Sequence, residues 1–223
     1  MQSLSPQNEA QRLRTLELYR IVDSAAERSF DDLTRLAANI CATPLSFVSI
    51  IGDDRQWSKS AFGTERGSMP RSDAFCSHTI HVEDLLIVED AAADTRFAQN
   101  PMVVGDPHIR FYAGAPLEVG SGDRLGSLCI VDNVPRTMSA AQIESLKILR
   151  DAVVNLLELR RAKGDIDALT SLLPMCAWCR DVRVETESDT PTWRSLHDYV
   201  VDSVTVTHGI CPRCKDAALA EEA

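Results

Sequence analysis

Apolar residues first recur at helical spacing over positions 7–21, where Leu13, Leu16, Tyr19 and Ile21 mark one side of a helix. A second helix is predicted in "SAAERSFDDLTRLAANICA". Phe30, Leu33, Leu36 and Ile40 form its apolar face, and Asp31 and Asp32 sit early, where the helix dipole favours acids. The pattern then changes period. "LSFVSIIG" is a branched, buried strand, "DD" a turn, and "RQWSKSAFG" the returning strand of a hairpin. A long irregular stretch, "TERGSMPRSDAFCSHTIHVED", follows. "LLIVEDA" is a strand, "TRFAQNPMVVGDPH" a short helix and loop, and "IRFYAGAPLEV" and "LGSLCIVDN" two strands joined by the turn "GSGDR".

Ser139 is placed to cap a long helix. Leu146, Leu149, Val153 and Leu156 follow 3-4-3 spacing, and Leu159, Ala162, Ile166, Leu169 and Leu173 resume it after an extra step of three. That is a coiled-coil pattern with a stammer near residue 159. It predicts packing on the chain's own domain over 143–157 and a partner helix over 159–173, although Gly164 weakens an unbroken helix. Pro174 ends the segment. "VRVETESDTPT" reads as an exposed turn and "TWRSLHDYVVDS" as a short amphipathic helix. The expected organisation is a sheet domain at 1–138, a signalling and dimerisation helix at 139–173, and a tail at 174–223.

Length and charge narrow the function classes. The 223 residues suffice for a sizeable core, and a net charge of −10 disfavours nucleic acid as a partner. The polar start and the lack of a long apolar run predict a cytoplasmic chain without a membrane span. Seven cysteines in such a compartment point to thiols or metal rather than structural disulfides.

Four of those cysteines close the chain: Cys176 and Cys179, then Cys211 and Cys214, two C-x2-C pairs separated by 31 residues. Two thiolate pairs are what a tetrahedral zinc ion requires, and soft sulfur ligands favour zinc or iron over magnesium or calcium. A tail this small seldom folds alone, and a structural zinc contributes roughly 10–16 kcal/mol in comparable folds. The expectation is one structural zinc per chain in a zinc-ribbon-like tail, with His208 beside the site. Redox dithiols and iron remain the alternatives.

"SFVSIIGDDRQWSKSAFG", "DAFCSHTI", "LLIVEDAAADTRFAQNPMVVGDPHIRFYAGAPL" and "RLGSLCIVD" resemble a GAF sensory domain, over roughly residues 7–160. They are especially similar to the bacterial subgroup found beside cyclic di-GMP enzymes and histidine kinases. The tail resembles a small cysteine-rich module that ends many bacterial signalling proteins. The resemblance implies an α+β fold, an antiparallel sheet flanked by helices. It also implies that the excursion after the first hairpin covers a pocket for a small ligand. On this reading the chain is a sensor that is not itself an enzyme, carries no output domain, and acts as a homodimer and through a signalling protein partner. Two thiol-based alternatives stand beside it: a methionine sulfoxide reductase of GAF type, which would need reactive cysteines converging on the pocket, where Cys76 alone is placed for it, and a redox switch in the tail that loses its zinc on oxidation.

The expected pocket residues are Trp57, Phe62, Cys76, His78, Arg110 and Tyr112. Cys76 and His78 lie on the covering segment, and a cysteine near histidines can have a lowered pKa. Strand alternation puts Arg110 and Tyr112 on one face, with Ile109 and Phe111 on the other. Arg110 would then bind an anionic group or pair with Asp90 or Asp94. Trp57 and Phe62 would form an apolar wall. Cys41 and Cys129 sit in apolar stretches and read as inert core thiols.

Overall fold

The computed structural model describes residues 6–170, 176, 179–184 and 192–198. By its internal contacts the chain divides into two compact units, Met1–Asp165 and Ile166–Ala223.

The first unit is built on a six-stranded antiparallel sheet. Its strands are β1 (Leu45–Ile51), β2 (Arg55–Phe62), β3 (Ser68–Pro70), β4 (Leu86–Val88), β5 (Phe111–Glu118) and β6 (Arg124–Asp132). The spatial order is β3-β2-β1-β6-β5-β4. The long loop between β2 and β5 therefore carries the chain across one face to the far edge. Three helices, α1 (Pro6–Tyr19), α2 (Arg28–Cys41) and α5 (Ala140–Thr170), pack on the other face. Two short helices, α3 (Cys76–Thr79) and α4 (Pro101–Val104), belong to the long loop.

Period-two alternation sorts the sheet side chains into two cores. Val48, Ile50, Phe111, Ala113, Leu117, Leu128 and Ile130 join Leu16 and Tyr19 of α1, Phe30 of α2, and Leu146, Leu149, Val153 and Leu157 of α5. On the opposite face Ile51, Tyr112, Cys129 and Val131 pack with Phe75, Ile80, Phe97 and Val103 from the loop. The Ser139 hydroxyl accepts from the Gln142 N–H (3.2 Å), and the Gln142 side chain accepts from the Ser139 N–H (3.0 Å). This reciprocal cap starts α5, which runs unbroken past Gly164.

Two cations of this unit are fully buried. Arg12 donates to the Ile51 carbonyl (2.8 Å) and pairs with Glu9. Lys59 donates to Ser24 Oγ, the Ala25 carbonyl and Glu27 Oε1 at 2.6–2.8 Å. A bulge between β1 and β2 explains Lys59: Val48 pairs with Ser60, but Ser49 pairs with Ser58. The extra residue lets consecutive side chains reach α2 and the loop before it, Lys59 at Glu27 and Ser60 at Asp31 (2.6 Å).

In the second unit, β7 (Val182–Val184) pairs antiparallel with β8 (Thr192–Arg194). The segment read as an exposed turn therefore begins with a strand, and Trp193 lies in a strand rather than in a helix. Helical backbone follows at residues 196–198. No helix among the described residues is long and apolar enough to cross a membrane.

The zinc expectation does not stand. Among the described residues no group of three or more His, Cys, Asp or Glu could hold a metal ion. Cys179 is exposed, and the Cys176 carbonyl accepts from the Arg180 N–H (2.9 Å) in a turn. Cys211, Cys214 and His208 lie outside the described residues.

Candidate functional site

A cavity of about 440 Å3 lies between the second sheet face and the long loop. Its sheet wall comprises Phe47, Gln56, Ser58, Tyr112, Cys129 and Val131, and the loop supplies Phe75, Cys76, Met102 and Ile109. Exposed residues between Gly63 and Ser68 form part of its lining, and the acids Glu65 and Asp106 belong to it. No Lys, Arg or His is among the lining residues.

The base of this cavity is polar and tightly connected. The Tyr112 hydroxyl lies 2.6 Å from Thr79 Oγ1 and 3.4 Å from Cys76 Sγ. Cys76 Sγ lies 3.7 Å from Cys129 Sγ. Thr79, Tyr112, Cys76 and Cys129 are all buried. Gly114, next on the same face of β5, makes room for this arrangement: a Cβ there would collide with the Tyr112 hydroxyl and Thr79 Oγ1. Phe75 stacks on Phe97 (centroids 4.2 Å) and tilts against Tyr112 (5.2 Å), fixing α3 over the sheet. Gln56 Oε1, also in the lining, and the hydroxyls of Ser49 and Ser127 are buried without a hydrogen-bond partner.

The six expected pocket residues divide. Cys76 and Tyr112 line the cavity. Trp57 packs instead against the helix-side core, because Gln56 and Ser58 occupy the cavity face of β2. Phe62 is half-buried at the end of β2, outside the lining. His78 also lies outside it, edge-on to Phe97 (4.8 Å). Burial, then the nearby Arg96 charge, push the His78 pKa down. Arg110 does not face the cavity: its guanidinium donates to the carbonyls of Val103 (2.9 Å) and Ile109 (3.0 Å). The expected alternation holds from Phe111 onward but fails before it. The strand begins at Phe111, His108 has φ of 58°, and Ile109 rather than Arg110 enters the cavity. Asp94, a suggested partner for Arg110, pairs with Arg96 (2.6 Å).

Sequence reasoning missed Gln56, Ser58 and, above all, Cys129. An apolar neighbourhood marks a buried thiol but says nothing of a second thiol 53 residues away. The available signal was the alternation of β6, which puts Cys129 on the face opposite Leu128 and Ile130.

The GAF domain profile matches residues 25–157, and the chain belongs to the GAF domain family. Over 185 residues, 82% of its length, the chain is 32% identical to a cyclic di-GMP phosphodiesterase from Pseudomonas aeruginosa. It spans 32% of that relative's length. The expectation of a chain with no enzymatic character is overturned by this match, since a sequence of this kind stands inside a phosphodiesterase. Two solved structures share the fold. The GAF domain of an Acinetobacter phosphoenolpyruvate-protein phosphotransferase is 16% identical, covers 73% of this chain and 99% of its own, and has a TM-score of 0.50. A free methionine-R-sulfoxide reductase from Neisseria meningitidis is 13% identical, covers 72% and 96%, and has a TM-score of 0.51.

Proposed function

We propose that the chain is a GAF-type sensory module working in cyclic di-GMP turnover. The cavity takes a small ligand, and its occupancy is coupled through α5 to a phosphodiesterase activity. The sequence match to a cyclic di-GMP phosphodiesterase carries this reading. The domain order retained is a sensory domain at 1–138, a signalling helix at 139–173, and a tail at 174–223.

The cavity lining supports a choice among ligand classes. Apolar walls, the unpartnered Gln56 carbonyl oxygen and two carboxylates, with no cation, suit a small, neutral or cationic, partly apolar molecule that donates a hydrogen bond to Gln56. An anionic nucleotide would meet Glu65 and Asp106 without a compensating charge.

Coupling requires a ligand that favours one arrangement of the helix over another. On α5 the buried Leu146, Leu149, Val153 and Leu157 serve the domain's own core. The exposed Ile148, Leu159 and Ile166 fall in register with Ala152, Asn155 and Ala162 at alternating steps of four and three. That spacing suits pairing with a second copy of the chain, in which Asn155 would fix the register.

The test is a chimera. The matching segment of the P. aeruginosa phosphodiesterase is replaced by this chain, with the cavity open or filled by Ser58→Trp. The reading expects cyclic di-GMP hydrolysis to change several-fold between the two, with the melting temperature retained. Equal rates in two folded chimeras overturn it.

A further inference from the structure

The cavity ends on two thiols that the ligand reading leaves unused. Cys76 opens α3 and Cys129 lies in the middle of β6, yet their sulfurs are 3.7 Å apart and both belong to the cavity lining. Their surroundings favour a thiolate on only one of them. Burial pushes the Cys76 thiol up, but the polar groups around it, Cys129 first, then Ser127, Tyr112 and Ser49, outweigh it and bring it down to about 7. The Tyr112 hydroxyl stands 3.4 Å from this sulfur. Ser49 and Ser127 face one another across β1 and β6, and their hydroxyls are buried without a hydrogen-bond partner. Cys129 is held well above the usual thiol range, by its hydrogen bond to Cys76 and by burial. Cys41 shows the contrast: it is buried in the helix-side core, and burial alone raises it.

We propose that Cys76 and Cys129 form a peroxide-reactive dithiol at the base of the cavity, Cys76 as the attacking sulfur and Cys129 as the resolving one. The Cys76 thiolate attacks one peroxide oxygen and the O–O bond breaks. Cys76 is oxidised by two electrons to the sulfenic acid, and the departing hydroxide takes up a proton as water. The Cys129 sulfur then attacks Cys76 Sγ, breaking the S–O bond. That hydroxide leaves as a second water with the Cys129 proton, and the net change is two thiols and one peroxide to one disulfide and two waters. The sulfurs must close from 3.7 Å to about 2.05 Å, a movement within reach of the single-turn helix α3. Exchange with a small thiol reductant restores the dithiol.

This site does not depend on the cyclic di-GMP reading, and its test does not involve the phosphodiesterase assay. The reduced full chain is treated with near-stoichiometric hydrogen peroxide, unfolded in the presence of an alkylating agent, digested, and mapped by mass spectrometry. The expected product is a linked pair of peptides joining Cys76 to Cys129, with Cys41 alkylated. The rate should rise with pH through a midpoint of about 7. Tyr112→Phe should slow the reaction several-fold and move that midpoint upward, which a purely structural role for the tyrosine would not do. In Cys129→Ala the link is lost and dimedone traps a sulfenic acid on Cys76. Full alkylation of Cys76 and Cys129 in the oxidised wild-type chain overturns the proposal, whatever the variants do. So does disulfide formation confined to other cysteines.

Discussion

Replacing Tyr112 by Phe removes one oxygen from the base of the cavity, and the structure lets the cost be worked out. That oxygen is the recorded partner of Thr79 Oγ1, at 2.6 Å, and Thr79 is fully buried. The ring keeps its contact with Phe75, so little packing is lost. The dominant effect is a stranded threonine hydroxyl, which costs about 1–3 kcal/mol. For a unit of this size a loss near 2 kcal/mol lowers the melting temperature by roughly 4–8 °C. The double variant Tyr112→Phe, Thr79→Val replaces both partners by apolar groups of similar shape, a change that is nearly neutral. The double variant should therefore regain most of what the single variant loses. Urea titrations of all four proteins, followed by tryptophan fluorescence, give the cycle. A single variant within about 0.5 kcal/mol of wild type, or losses that simply add, would refute this reading of the cavity base.

Lys59→Met leaves Glu27 with Arg160 as its remaining cation, and should cost on the order of 3 kcal/mol in a denaturant titration. Burial raises the Glu9 carboxyl, but Arg12 and Arg71 outweigh it and hold it at about 2 against an ordinary 4.5. A depressed carboxylate contributes stability that is complete above its unfolded value. That part is lost as pH falls from 4.5 toward about 2, and Glu9→Gln should flatten acid unfolding in that window. Ile148→Lys with Leu159→Lys should reduce the sedimentation mass from dimer to monomer with little change in melting temperature, since both side chains are exposed. An unchanged mass would remove the coiled-coil stripe from the proposal.

Much of the fold was readable from period alone. The helices bury one face and leave the other polar, while the closing strands β5 and β6 read as nearly continuous buried runs because both sheet faces are covered. The cavity was harder to read, for two local reasons. A bulge at Lys59 shifts the phase of β2, so Gln56 and Ser58 take the cavity face while Trp57 packs toward the helices. The left-handed backbone at His108 breaks the alternation just before β5, which turns Arg110 toward nearby carbonyls and Ile109 inward. The buried Arg12 and Lys59 were invisible for a different cause. Charged residues read as surface unless the partner that neutralises them is known, and here that partner is a distant carbonyl or the loop beside α2. The nearness of Cys76 and Cys129 is likewise a product of topology rather than of spacing along the chain.

On this account the cavity is a ligand site for a small molecule that is neutral or cationic. A thermal-shift screen of the full chain against small amines, neutral metabolites and anionic nucleotides tests it most directly, with Ser58→Trp run in parallel. A ligand present at a hundred times its Kd stabilises by about 2.7 kcal/mol, or roughly 5–10 °C in this unit. The expected result is a shift of that order with an amine or neutral compound, abolished in Ser58→Trp. Stabilisation by anionic nucleotides, or a shift that survives filling of the cavity, would contradict it.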